Sequence, residues 1–362
     1  MTGLLALIVV ILFVVTLWQM SKIFKLSQLK NKNVNSETAQ VANDKDNRVN
    51  GKLFVMFMVF LYGITIYCFW NYSKFYLPEA SSEHGTDYDY LMFISLALIM
   101  FVQVITQALL HYFAYKYQGK KGNRALFYAD NDKLEFIWTI IPVIVLAGLI
   151  IYGLFTWSDI MNFEEEEDAI VVELYAKRFV WEARYAGEDR TLGNANVRFI
   201  EGANTVGIDA SDSDAMDDVV TTELHLPVGR QVIFKLRSQD VLHSAYMPHF
   251  RAQMNVVPGM ITQFSFTPSV TTEEIRETEY MQDKMYNIKE IRKEKNKQSI
   301  AAGDGPLDAY DEFDYYLLCN KICGASHYNM QMKIVVETQE EYDAWMAEQK
   351  TFAQTIAEAT QE

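Results

Sequence analysis

Four stretches of this chain run for about 20 residues or more without a formally charged side chain, and nothing else in the sequence restricts its fold so tightly. They cover residues 1–20, 53–73, 91–115 and 136–157. A helix of roughly 20 apolar residues spans the ~30 Å hydrocarbon core of a bilayer. These stretches are apolar on all sides, which suits lipid or a helix bundle better than a soluble protein's surface. The chain is therefore expected to carry four transmembrane helices within residues 1–157. Pro142 falls inside the fourth, where neighbouring helices re-satisfy the freed carbonyl. The first stretch has the length of a secretory signal but no Lys or Arg among its 20 residues, so a retained helix is expected. Loop charges orient the spans. Residues 21–52 carry seven basic side chains and residues 116–135 carry five, whereas 74–90 carry Lys74 alone. The positive-inside rule assigns the first two loops to the cytoplasm. Both termini and residues 158–362 then lie outside, which for a bacterium means an inner-membrane protein with a periplasmic C-terminal half.

Charge divides the chain at the same place. Residues 1–157 hold 13 Lys/Arg against 10 Asp/Glu, and residues 158–362 hold 19 against 37, so the second half accounts for the net charge of -15. An acidic exposed half excludes a nucleic-acid binder, which needs excess base to neutralise phosphates. Three cysteines in 362 residues exclude a disulfide-built scaffold. Short runs rich in Val, Ile, Phe and Tyr at 169–175, 231–236, 261–266, 315–318 and 332–336 read as strands. Turn signals such as Pro227-Val228-Gly229 and Val257-Pro258-Gly259 bound several of them, and the spacing predicts a sandwich or barrel. Residues 201–218 are small, polar and acidic, and read as a solvated loop. Residues 271–298 read as an exposed helical insertion, opened by a Thr271/Glu274 capping box, with Met281 and Met285 as its packing face.

Chemistry concentrates in residues 319–330, where Cys319, Cys323, His327 and Met330 fall at spacings of four, four and three. A second imidazole, His243, lies far upstream, after the run 231–236. Thiolate, thioether and imidazole together select copper, and the thioether discriminates because structural zinc sites rarely use Met. Three other readings exist. Cys319 and Cys323 could close a small disulfide loop, His243 could complete a Cys2His2 zinc site, and Met330 could be core packing. His225 and His249 flank strands and are weaker candidates. His111 is the one histidine within a span, and there is no Cys-x-x-Cys-His, so no haem is expected in this chain.

With further motifs added, the chain resembles subunit II of the haem-copper cytochrome c oxidases over about residues 120–350. Asp240-Val241-Leu242-His243-Ser244, with residues 254–259, is similar to that family's first copper loop, and 319–330 to its second. Residues 134–142 resemble the start of its second conserved membrane helix. Lys177-Arg178-Phe179-Val180-Trp181 with Tyr185 resembles its aromatic segment. The resemblance implies N-terminal transmembrane helices (1–157) and an all-β cupredoxin-like sandwich (158–362) holding two copper ions as a dinuclear CuA centre. By residue, Cys319 and Cys323 would bridge both coppers, and His243 and His327 would each complete one. Met330 and the backbone carbonyl of Lys321 would be axial ligands. Two bridging thiolates let the pair share one hole, so little reorganisation accompanies each electron. Phe179 or Trp181 would receive electrons, with core packing as the alternative for both. Glu135 would mark the mouth of a proton pathway, with helix-dipole stabilisation as the structural alternative.

The implied role is the electron-accepting subunit of a proton-pumping terminal oxidase. Electrons would come from cytochrome c, or a cytochrome c domain of a respiratory complex, and pass to haem in subunit I, where oxygen becomes water. An acidic outer half suits steering of a basic cytochrome c. The family pattern is departed from in three places: Lys321 stands where Glu usually helps hold magnesium at the subunit I interface; Met260 and Asn255 stand where Arg and Asp are usual; and in the aromatic segment Phe179 stands at the position usually assigned to electron entry, whereas Trp181 is kept. The copper set is indifferent to the first change, because a carbonyl serves from any residue; a magnesium link through Lys321 is not expected. The spans before residue 90 and the 271–298 insertion exceed the usual two-helix plan, and are expected to meet further subunits or a respiratory partner.

Overall fold

The computed structural model of the chain describes residues 10–23, 44–124, 126, 128–307 and 310–360. It divides into two compact units, one of residues 1–73 and 99–131, the other of residues 74–98 and 132–362. Helix α1 (Val10–Ile23) is the described part of the first expected span. Residues 1–9, and the loop residues Lys25, Lys30 and Lys32, lie outside the described residues. Three further helices, α2 (Asp44–Tyr72), α3 (Glu83–Lys116) and α4 (Asp132–Met161), are long and apolar enough to cross a membrane. Each extends beyond its uncharged stretch, because polar first turns continue a helix as well as apolar ones do. None of their most apolar windows holds a residue buried within the chain.

Within the first unit, α2 and the second half of α3 run antiparallel. Asp44 Oδ1 accepts from Lys121 N at 2.8 Å near one end, and Tyr62 Oη donates to Val104 O at 2.6 Å further along. Between them His111 is buried, its ring 5.7 and 5.8 Å from those of Phe54 and Phe57. Its Nδ1 lies 2.7 Å from Gln107 O, so the helix's own carbonyl satisfies the polar atom.

The second unit holds a two-sheet sandwich. Its strands are β1 (Ile170–Lys177), β2 (Val180–Tyr185), β3 (Val219–Thr221), β4 (Leu224–Pro227), β5 (Val232–Ser238), β6 (His243–Met247), β7 (Ala252–Val256), β8 (Thr262–Phe266), β9 (Tyr315–Cys319) and β10 (Gln331–Glu337). One sheet has the order β3-β2-β1-β5-β8 and the other β4-β10-β9-β6-β7. Period-2 alternation sends Val172, Leu174, Ala176, Phe234 and Leu236 into the shared core. It also turns Glu173, Tyr175, Glu182 and Arg184 to the other face of the first sheet.

That outer charged face overturns the expectation of a solvated loop at 201–218. Arg184 is buried there between Glu173 (3.1 Å) and Asp218, and it donates to Gly193 O at 2.6 Å. Arg237 pairs with Glu173 and donates to Val206 O at 2.7 Å. Val206, Ile208 and Ala215 close over Tyr175 in a second small core. Charged partners hold the segment down where its composition alone would leave it in water.

The helical insertion forms with its capping box, but breaks at Thr278 into α5 (Thr272–Glu277) and α6 (Glu279–Ala302). Thr278 ends the first helix and caps the second, and Gly303 ends α6 with φ at +87°. Met281 and Met285 are buried, as their spacing suggested. Two C-terminal helices, α7 (Gln339–Glu348) and α8 (Phe352–Ala359), finish the chain and had no counterpart in the strand pattern.

The segment between α2 and α3 docks on the sandwich. Ser81 N donates to His249 O at 2.8 Å, and Ser82 Oγ to Phe250 O at 2.7 Å. Arg251 forms a fork on Asp89 at 2.8 and 2.7 Å and reaches Pro78 O at 2.7 Å. The Tyr280 hydroxyl of α6 donates to Tyr76 O, so the helical insertion touches the segment between α2 and α3.

Candidate metal centre

Strand alternation delivers two donors to one end of the sandwich core. In β9 the inward positions are Tyr315, Leu317 and Cys319; in β6 they are His243, Ala245 and Met247. Ala245 pairs with Cys319 across the two strands, which brings the Cys319 thiol to 3.8 Å from His243 Nδ1. The chain then leaves the sheet in a loop closed at its base by Cys319 N donating to Met330 O at 3.0 Å. Asn320 N donates to Ser244 O at 3.0 Å and ties this loop to β6.

The loop supplies the other donors. The sulfurs of Cys319 and Cys323 are 3.9 Å apart and both thiols are free, so the disulfide reading fails. Cys323 Sγ lies 3.7 Å from His327 Nδ1 and 3.7 Å from Met330 Sδ. Cys319 Sγ lies 3.2 Å from Lys321 O. All six sequence candidates for the copper set therefore meet in one place: two central sulfurs, an imidazole nitrogen beside each, and one thioether and one carbonyl at the sides. The donor atoms of His243, Cys319 and Cys323 lie within 4.8 Å of one another. His243 is fully buried, while His327 is half-buried.

Gly324 lets the loop pack. Its φ is +145°, and a Cβ there would lie 2.8 Å from Phe179 Cζ, so the aromatic ring of the 177–181 segment rests on the metal-site loop. Trp181 is buried, with its ring edge-on to His243 at 6.1 Å between centroids. Phe179 is half-buried.

Electrostatics set the protonation of the donors. Burial, then the neighbouring Cys319, pushes the Cys323 thiol up to about 11. Without a metal this thiol keeps its proton at neutral pH, and a thiophilic ion is what would displace it. Behind the site, His243 Nε2 lies 2.9 Å from Asp240 Oδ1. Burial works to raise the Asp240 carboxyl, but hydrogen bonds from His243, Arg178 and the amides of Val241 and Arg178 outweigh it and hold the group well below the usual carboxylate range. A carboxylate can only accept, so His243 donates from Nε2 and presents its Nδ1 lone pair to the cysteines. Sequence reasoning passed over Asp240 as a working residue. Its spacing three residues before His243 was the available signal.

The remaining candidates lie apart. Glu135 stands exposed in the first turn of α4, beside Asp132. His225 stacks on Trp345 at 4.0 Å and lies 2.9 Å from Glu337, and His249 is buried against Phe313 and Tyr315. Both belong to packing.

Comparison with known proteins identifies the family of the chain. Residues 71–155 match the family described as "Cytochrome C oxidase subunit II, transmembrane domain". The alternative cytochrome c oxidase subunit 2 of Bradyrhizobium diazoefficiens is 32% identical over 263 residues, covering 72% of this chain and 76% of that protein. The cytochrome c oxidase subunit 2 of Alkalihalophilus pseudofirmus is 24% identical over 261 residues, 70% of this chain and 56% of that protein. The solved periplasmic domain of subunit II of cytochrome oxidase from Bradyrhizobium japonicum overlaps with a TM-score of 0.29 and 14% identity, over 51% of this chain and 94% of that one.

Proposed function

Because the chain belongs to the cytochrome c oxidase subunit II family and so forms one subunit of a membrane-bound terminal oxidase, we propose that it takes up electrons at a dinuclear copper centre and hands them to haem in subunit I. The observation that carries this reading is the pair of free, buried thiols 3.9 Å apart, each with an imidazole nitrogen within 3.8 Å. A single tetrahedral zinc would leave the Met330 thioether and the Lys321 carbonyl, both turned to the sulfurs, without a role. When bound, a copper pair supplies a one-electron acceptor whose charge is spread over two metals and two thiolates.

The protein's own residues keep that acceptor stiff. Cys319 and His243 sit on adjacent paired strands, and the Cys319–Met330 and Asn320–Ser244 backbone bonds hold the loop against them. Donor atoms fixed this way move little between redox states. Trp181, at 2% exposure, has almost no surface with which to meet a docked donor. Phe179 has surface and also touches the metal-site loop, so in this reading electrons arrive at Phe179 and Trp181 buttresses His243. The donor is a cytochrome c or a cytochrome c domain, drawn to the acidic residues 158–362, which face the periplasm of a bacterial inner membrane. Glu135, in the first turn of a membrane helix, offers a proton to a pathway in subunit I, where oxygen is reduced and protons are pumped.

Metal analysis and electron paramagnetic resonance of the purified oxidase complex test the proposal. Two coppers assigned to this subunit with a mixed-valence spectrum support it. One zinc, or no metal, overturns it.

A further inference from the structure

The two imidazoles of the site are not equivalent. His243 is fully buried and its Nε2 lies 2.9 Å from Asp240 Oδ1. Asp240 is braced in turn: Arg178 Nε donates to Oδ2 at 2.9 Å, Arg178 N to Oδ2 at 3.1 Å, and Val241 N to Oδ1 at 2.7 Å. Among the described residues, no carboxylate pairs with the ring of His327, which is half-buried. Arg178 has a second neighbour as well. A Cβ on Gly324, in the loop carrying the cysteines, would lie 3.6 Å from Arg178 Cδ and 2.8 Å from Phe179 Cζ. The segment 178–179 thus touches both halves of the site, gripping the carboxylate behind His243 and resting on the loop between Cys323 and His327.

We propose that Asp240, held by Arg178, is a positioning residue that fixes the Nδ1-donor tautomer of His243 and makes the copper pair electrically asymmetric, setting its reduction potential. The proposal rests on the copper reading above. A carboxylate hydrogen-bonded to the distal nitrogen of a ligating imidazole raises that ligand's basicity. Greater basicity stabilises the oxidised pair and enriches the His243 side in electron density. The Arg178 guanidinium partly cancels the carboxylate's charge, so the two side chains act in opposite directions through one contact. A merely structural pair would not give opposite signs.

Measuring the potential of the copper centre in the whole oxidase complex, with wild type, Asp240→Asn, Asp240→Glu and Arg178→Gln side by side, decides the matter. Asp240→Asn is expected to shift the copper redox equilibrium toward the reduced form by about tenfold, ~59 mV for one electron. Arg178→Gln is expected to shift it the other way by a smaller factor, and Asp240→Glu to return toward wild type. Copper hyperfine couplings should become more equal in Asp240→Asn. If wild type shows no mixed-valence copper, the underlying reading has failed. If wild type shows it and the variants keep its potential and couplings, or both shift in the same direction, this inference is overturned. Should Asp240→Asn fail to take up copper, Arg178→Gln carries the test, and an unchanged potential there is decisive against it.

Discussion

The membrane helices and the β sandwich are both rich in large apolar residues, yet they dispose of them in opposite ways. On α2 and α4, Trp70 and Phe136 are 86% and 66% exposed within the chain; in the sandwich, Phe234 is wholly buried. The hydrophobic effect acts on whatever surface water can reach, so an apolar side chain needs cover and the cover need not come from its own chain. The sandwich supplies its own from two facing sheets. The helices take theirs from lipid and from the other subunits of the oxidase. One region is therefore closed and can hold a metal site rigidly, while the other is completed only in the assembly.

Substitutions can break or sharpen this contrast. The largest effect is expected at the closed end of the sandwich: Cys323→Ser removes a central donor and abolishes the mixed-valence copper signal while the thermal unfolding of the sandwich is kept. Retention of two coppers in that variant would remove the thiol pair from the centre. Next, Phe234→Ala should cost about 3–5 kcal/mol of unfolding free energy by opening a core cavity. Its counterpart on α4, Phe136→Ala, should leave sandwich unfolding unchanged and weaken retention of the other subunits on purification. Equal loss of stability in the two would erase the distinction.

Arg184→Ala leaves Asp218 buried without its cation and Glu173 with Arg237 alone, and should also cost about 3–5 kcal/mol. Hydrogen exchange would then rise first over residues 201–218, which that arginine holds down. A lower pH tests the seam where the α2–α3 segment meets the sandwich. Burial, with Lys284 and Arg251 adding to it, pulls the His249 imidazole down from 6.5 to about 4. The unfolded chain takes up this proton near 6.5 and the folded chain only near 4. Its contribution to stability is thus complete above pH 6.5 and is lost as pH falls from 6.5 to 4, up to about 3 kcal/mol. His249→Phe should flatten that part of the stability profile. Smallest is Thr271→Ala, which removes the cap of α5 and should cost about 1 kcal/mol, read as a small fall in melting temperature.

Much of this was legible in the residues. Uncharged runs of bilayer length announced the spans, and the β-branched and aromatic runs announced β1, β5, β8, β9 and β10. His243–Met247 carried no such signal, since His-Ser-Ala-Tyr-Met lacks β-branched residues. It is a strand because Ala245 finds Cys319 on one side and Met254 on the other. Residues 201–218 misled for the converse reason. Their polarity is real, but on the neighbouring sheet Arg237 takes the Val206 carbonyl and Arg184 takes Asp218 in place of water.

The metal site shows where the boundary lies. Four of its side-chain donors sit within twelve residues, so spacing and donor chemistry alone made them a group and indicated copper. Local sequence also marked the long apolar helices α2, α3 and α4, because the length of an uncharged run is a property of a short segment. Only the tertiary structure decided that His243 reaches Cys319, that Asp240 stands behind it, and that Phe179 keeps a surface while Trp181 does not. Cys319 and His243 are 76 positions apart, and Asp240, though three from His243, is held in place by Arg178 62 positions away, so these relations depend on strand pairing and register, which no single segment specifies.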